Sequence, residues 1–446
     1  MSKKIRLRFI TLLALFSILA GHISSVPVIA QQTAPAVAPA NAKSAAVAAA
    51  TAEVLQETAE IRELSVLRPV KSGAQSRAEI ERMIIRNLDE ETTPEEMRAT
   101  EVTLKKLGLV PPDFKYRPFI ISLLTEQVAG YYDPKAQQFY LADWIELEGQ
   151  QPVISHELTH ALQDQHFNLR RFDKWPKGDS DAEMAVHALI EGDAMLTMMK
   201  YIMRKPQRAL DFMRIAGGAA ASANEKIESA PRALRESLMF PYEKGMQFVA
   251  RLNGRGGWKM VSQAYTDLPQ STEQILHADK YFAREAPVKV DLPDISPMLG
   301  KGWKRVLYDV NGEWSYYLIL DEFLKSPGES EKAAAGWGGD RYAVYEGPHG
   351  EVMLAQASFW DTEQDANEFY AAYVKRTRER YPSATPTEAT TSLQTPIRQM
   401  KMETKEGGVL VVQNGTRVLI LEGLPDKADV SALLNKIRQS IKRGKL

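Results

Sequence analysis

The residues best suited to chemistry occupy one short stretch, His156-Glu157-Leu158-Thr159-His160. On a helix, residues four apart share a face, with Cβ atoms roughly 6 Å apart. Two imidazoles at that spacing can converge on one Zn²⁺ at about 2.0–2.1 Å each. Glu157 follows His156 by one position and can lean its carboxylate over the same ion. Zinc lowers the pKa of water from 15.7 to about 7, and a neighbouring carboxylate takes the proton as the water attacks a polarised carbonyl. In a chain with only 7 histidines, chance produces this pattern in roughly one case in a hundred. The plain alternative is a pair of solvent-facing helical histidines.

A zinc site of this kind needs a third protein ligand and an open fourth position. Two residues compete for the third place. His166 lies six positions after His160, the spacing of HExxHxxGxxH, but that pattern uses a glycine to bend the backbone and Gln163 stands there instead. Glu191 lies in a helix whose core-facing stripe reads Met184, Ala188, Glu191, Met195, Met198. A carboxylate within such a stripe is costly unless it is paired or bound to metal. His187, one turn before Glu191, is a candidate to orient it or to face substrate. Asp164, one turn after His160, is a candidate acceptor for an imidazole N–H.

The elements that hold these residues are legible from caps and periodicity. Ser76-Arg77-Ala78-Glu79 and Thr93-Pro94-Glu95-Glu96 are capping boxes, the second with proline at the first helical position. A third helix is expected from about Tyr116 to Ala129. Tyr131–Pro134 and Gln138–Ala142 suit a short hairpin. Two helices follow, at about 152–165 and 181–204, with Ser180-Asp181-Ala182-Glu183 as a further capping box. Helix returns after the Ala/Gly-rich residues 209–230 and runs to about Phe282. Ser326–Glu329 reads as a loop, and Gly336–Arg341 as a rigid turn or a recognition loop, the turn being favoured. Strands are expected near 341–346, 351–360, 409–413 and 417–422, the last two joined by Asn414-Gly415. Thr362 opens one helix and Val430 another.

Composition narrows the field. The 446 residues include no cysteine, so any metal must be held by His, Asp or Glu, and disulfides and thiolate chemistry are excluded. A formal charge of −1 offers no footprint for nucleic acid. Lys3, Lys4, Arg6 and Arg8, then the apolar run Phe9–Ala20 and Val28-Ile29-Ala30, read as a signal peptide cut between Ala30 and Gln31. The expected location is therefore periplasmic or extracellular, without stable membrane insertion after cleavage. The expected divisions are a signal at 1–30, an Ala/Pro-rich tether at 31–53, a helical region with a catalytic domain at 54–300, and a C-terminal α/β accessory domain at 301–446.

With these residues in hand, a resemblance emerges. His156 to His160, with Glu191 in a Glu-Gly-Asp-Ala setting, is similar to the gluzincin group of zinc metallopeptidases, where a second helix supplies a glutamate ligand. The interval from His160 to Glu191 is longer than in most of that group, the excess falling in a loop at about Phe167–Gly178. The chain resembles more closely an uncharacterised family of exported bacterial proteins regarded as metallopeptidases. That likeness rests on Glu126–Pro134, His156–Phe167, Leu189–Ala194 and Ser271–His277, with Gly336–Arg341 as a weaker echo. Ala278 stands where proline is expected.

The resemblance implies an α+β fold with a zincin-like core, one Zn²⁺ per chain, and peptide or protein substrates cleaved with Glu157 as general base. It singles out His277 as a candidate to stabilise the oxyanion. Tyr131, Tyr132 and Tyr140 compete for that role or for contact with substrate. The hairpin carrying Tyr132 and Tyr140 is placed to pair with an extended peptide. Two other functions remain on the table: an envelope protein with a structural zinc and a partner-binding C-terminal module, and a zinc hydrolase acting on a non-peptide amide.

Overall fold

A computed structural model describes residues 40–145, 147, 149–174, 178–211, 228–390 and 397–440. The expected signal peptide and its cleavage point lie outside them. Mixed α/β structure is observed, with long helices gathered in the N-terminal two-thirds and most strands at the C-terminal end.

The first element corrects the sequence reading. Residues 40–53, expected as tether, belong to α1 (Ala40–Arg62). Val47, Thr51, Val54, Leu55 and Thr58 are buried at helical spacing, so alanine here is acting as the strongest helix former. Next come β1 (Lys71–Gln75), α2 (Arg77–Glu91), α3 (Pro94–Leu107) and α4 (Tyr116–Gln127). Both expected capping boxes, Ser76 with Glu79 and Thr93 with Glu96, are formed. Strands β2 (Gly130–Asp133) and β3 (Gln138–Ala142) make the hairpin. β1 joins β3 in parallel, giving a small sheet in the order β1-β3-β2 with β2 at an edge.

Helix α5 (Gln151–Phe167) carries the paired histidines, and every residue from Pro152 to Asp164 is buried. A helix covered on all sides has no amphipathic stripe to reveal it. Helix α6 (Ser180–Met203) packs on α5, and α7 (Arg232–Ala264) packs on α6. The α6–α7 contact is a backbone contact: a Cβ on Gly192 would lie 2.2 Å from the Gly245 carbonyl. Two glycines let the helices approach this closely. The cap of α6 differs from the expected box by one residue. Asp179 accepts from the Ala182 amide, and Ser180 instead gives its backbone N–H to Asp309, 2.9 Å away.

The C-terminal unit is built on a seven-stranded, fully antiparallel sheet. Its strands are β4 (Lys304–Asp309), β5 (Trp337–Glu346), β6 (Val352–Trp360), β7 (Pro386–Thr390), β8 (Ile397–Thr404), β9 (Gly407–Asn414) and β10 (Arg417–Leu424), ordered β4-β5-β6-β10-β9-β8-β7. Helices α8 (Gly312–Leu324), α9 (Pro327–Ala334) and α10 (Glu363–Arg380) cover one face, where Val344, Leu354, Val411 and Ile420 point. The opposite face, with Tyr345, Ala355, Val412 and Leu421, receives Val290, Leu292 and Ile295 and then α11 (Val430–Ser440). The period-two alternation of each strand thus feeds two separate cores.

Two expectations fail in this unit. The supposed loop at Ser326–Glu329 opens helix α9 with Pro327 in its first turn. The supposed turn at Gly336–Arg341 is, from its second residue, the start of β5, whose Trp337 is 1% exposed and donates to Asp340 at 3.0 Å. Helix α3 docks on this unit: Arg376, fully buried, donates to the Leu107 carbonyl at 2.6 Å and to Glu422 at 2.8 Å. A cation at the end of α3 satisfies a carbonyl the helix leaves open. Among the described residues, no helix is long and apolar enough to cross a membrane.

Candidate metal centre

Helices α5 and α6 bring His156, His160 and Glu191 together. The His156 and His160 Nε2 atoms are 3.0 Å apart, and Glu191 Oε2 lies 3.2 Å from the first and 3.5 Å from the second. Tetrahedral zinc with ligand bonds of about 2.0–2.1 Å sets its ligand atoms about 3.3–3.4 Å apart. The observed triangle has that size, so the donor set fits the ion. All three side chains are at most 1% exposed. His166 is absent from the cluster. It is bonded to the Ser65 carbonyl at 2.7 Å, near the end of α5.

Burial and mutual charge set the protonation of the group. Burial raises the Glu191 carboxyl, but the His160 charge and hydrogen bonds from three imidazoles outweigh it, leaving Glu191 ionised well below the usual range. Burial pushes His156 down to about 4 against the pull of Glu191, so its imidazole is neutral. The same burial opposes charge on His160, but the Glu191 carboxylate prevails and holds it up to about 9. A metal ligand must be deprotonated, so a divalent cation entering here would displace that proton.

Glu157 is fully buried beside these groups. Its Oε2 accepts from the Tyr132 amide of β2 at 2.9 Å, while its Oε1 is buried without a hydrogen-bond partner. Burial pushes its carboxyl up to about 8. An unpaired buried oxygen costs on the order of 1–3 kcal/mol. Such oxygens are uncommon away from sites that use them.

The other candidates are placed as follows. His187 Nε2 lies 3.2 Å from Glu191 Oε1, the far oxygen from the paired histidines. Tyr132 is 2% exposed, its hydroxyl given to Asp164 at 3.0 Å, which leaves no free hydroxyl for substrate. Tyr140 is half-buried and stacks on Tyr131 at 5.2 Å. Asp164 accepts from Tyr132, from Arg68 at 3.3 Å and from the Leu169 amide at 3.1 Å, and His160 finds a different acceptor. His277 Nε2 is 2.8 Å from Glu313 of α8, with Glu273 and Lys280 as its other charged neighbours, and the structure does not group it with the ligands. A second carboxylate group, Glu273, Glu285 and Asp361, is gathered by the ammonium of Lys280.

Sequence reasoning missed the residues behind His160. Its Nδ1 lies 2.8 Å from Gln163 Oε1, the residue that departs from the glycine pattern. Gln163 in turn donates to the Ile190 carbonyl at 3.0 Å and to Asp193 at 3.1 Å. Asp193 is paired at 2.6 Å with Arg62 at the end of α1, both fully buried. Tyr242 of α7 stacks against His156 at 6.3 Å. The available signal was Asp193, the polar residue two positions after Glu191, in a stretch whose other neighbours from Ala188 to Met199 are mostly apolar.

Residues 301–434 match a family described only as a domain of unknown function, DUF8575. No curated protein and no solved structure matches the chain.

Proposed function

We propose that the chain is an exported zinc-dependent metallopeptidase of gluzincin type, with a zincin-like core made of α5, α6 and the β1-β3-β2 sheet. His156, His160 and Glu191 would hold the ion. When bound, zinc acidifies water and polarises the scissile carbonyl. The rest is done by the chain. The Tyr132 amide fixes Glu157 through Oε2, so that Oε1 is the atom that takes a proton from water and returns it to the leaving amine. Burial raises the Glu157 carboxyl, and a bound cation would draw it back toward the ionised form that accepts the proton. His187 fixes the second oxygen of Glu191.

The observation that carries this reading is the unpartnered Glu157 Oε1 beside a ligand triangle of zinc dimensions. A structural site has no use for a second buried carboxyl beside the three ligands. Glu157→Gln tests it: peptide hydrolysis should fall by about 10²–10⁴-fold with one zinc retained per chain. Full activity in that variant sinks the mechanism.

A second reading is favoured by the burial of all four residues: zinc that only staples α5 to α6. It predicts that chelation lowers the unfolding temperature while no peptide library is cleaved by the zinc-loaded protein.

A further inference from the structure

Resting on the zinc-site reading, we infer that Arg62 of α1 is a positioning residue for the metal centre, acting on His160 through Asp193 and Gln163. The order of bonds leaves little freedom. Gln163 Nε2 faces the Ile190 carbonyl and the Asp193 carboxylate, both pure acceptors. The amide nitrogen must therefore sit on that side, which turns Oε1 toward His160 Nδ1, 2.8 Å away. An amide oxygen cannot donate, so Nδ1 carries the hydrogen. Once the second proton is displaced, the lone pair of His160 is thereby confined to Nε2, the atom that faces His156 and Glu191.

Asp193 orients Gln163 only while its own carboxylate is held in place. It is fully buried, and an isolated carboxylate there would be prohibitively costly. Arg62 Nε holds Asp193 Oδ1 at 2.6 Å, and the Tyr265 hydroxyl holds Oδ2 at 2.9 Å. The guanidinium is itself fixed by the Ser262 hydroxyl at 3.2 Å and by the Trp258 ring at 4.6 Å. The relay thus runs from α1 through α6 to α5. Thr58 adds a direct bond from α1 to Ser155, next to His156, at 2.9 Å. α1 is a constituent of the site, and a cleavage that removed it would dismantle the relay.

Removing one member of a buried ion pair strands the other, so Arg62→Met alone could fail to fold. The informative variants are the paired Arg62→Met/Asp193→Leu, which removes both charges, and Gln163→Met, which removes the acceptor. Zinc affinity is read by competition with a chromophoric chelator on protein kept well below its unfolding temperature. The His160 tautomer is read by ¹⁵N chemical shifts in metal-free protein above about pH 9, where the ring is neutral. Each variant should bind zinc about 10–100-fold more weakly and lose the single Nδ1–H tautomer expected of wild type. Unchanged zinc affinity with an unchanged tautomer in folded variants overturns the relay. If wild type binds no zinc, the zinc reading fails. In that case the tautomer comparison alone decides whether Arg62 positions His160.

Discussion

The Nε2 atoms of His156 and His160 face each other across 3.0 Å, each within 3.5 Å of Glu191 Oε2. At most one of those nitrogens can present a hydrogen to the other, so the pair is an arrangement of lone pairs converging beside an anion. In a fully buried pocket that is unfavourable unless a cation, proton or metal, stands among them. Helix spacing supplies the two imidazoles, and the α5–α6 contact supplies the carboxylate. Everything proposed for function depends on that contact.

The close passage of α6 and α7 is one control on it. Gly192 adjoins Glu191, and its Cβ position is blocked by Gly245 backbone, which cannot yield without the helices separating. Gly192→Ala should cost about 1–3 kcal/mol by overpacking and weaken zinc binding as Glu191 shifts. Gly254→Ala, in α7 and with nothing within 4 Å of its Cβ position, should be neutral or slightly stabilising. Equal unfolding temperatures for the two variants would contradict the close-packing argument.

A pH dependence follows from Glu183, one turn before His187 on α6. Burial, with the charges of Asp309 and Asp179, pushes its carboxyl up to about 7, and one of its oxygens lacks a partner. The folded state keeps a proton that the unfolded chain releases near the ordinary carboxyl value of 4.5. Stability from this group is therefore complete below about pH 4.5 and declines as pH rises toward about 7. Glu183→Gln should gain on the order of 2 kcal/mol over wild type at pH 8 and nothing at pH 4, measured by urea unfolding. An equal gain at both pH values would show that the carboxyl does not titrate in this range.

How much of this could be read in advance depends on where the information lies along the chain. Ser76, Thr93 and Thr362 announce their helices because a cap is a local bond between residues three apart. The Asn414-Gly415 hairpin is equally local. His156 and His160 are legible by helical spacing, and Glu191 by the cost of a carboxylate in an apolar stripe. Arg62 and Gln163 are not, and Asp193 is only by its polarity in an apolar run, because their bonds span 30 and 131 positions. α1 was misread since alanine-rich sequence serves equally as linker and as helix, and only the packing of Val47 and Val54 decides between them. Asp164, taken for a histidine partner by its spacing, is drawn away by the Tyr132 hydroxyl. Trp337 among glycines reads as a turn, yet the sheet claims it.

The central claim is most directly tested by zinc content after equilibrium dialysis against buffered zinc, for wild type, Glu191→Ala and His166→Ala. The account predicts one zinc per chain in wild type and in His166→Ala, and loss of that zinc in Glu191→Ala. A wild type that takes up no zinc, or a Glu191→Ala protein that holds it as firmly as wild type, would contradict the assignment of the site.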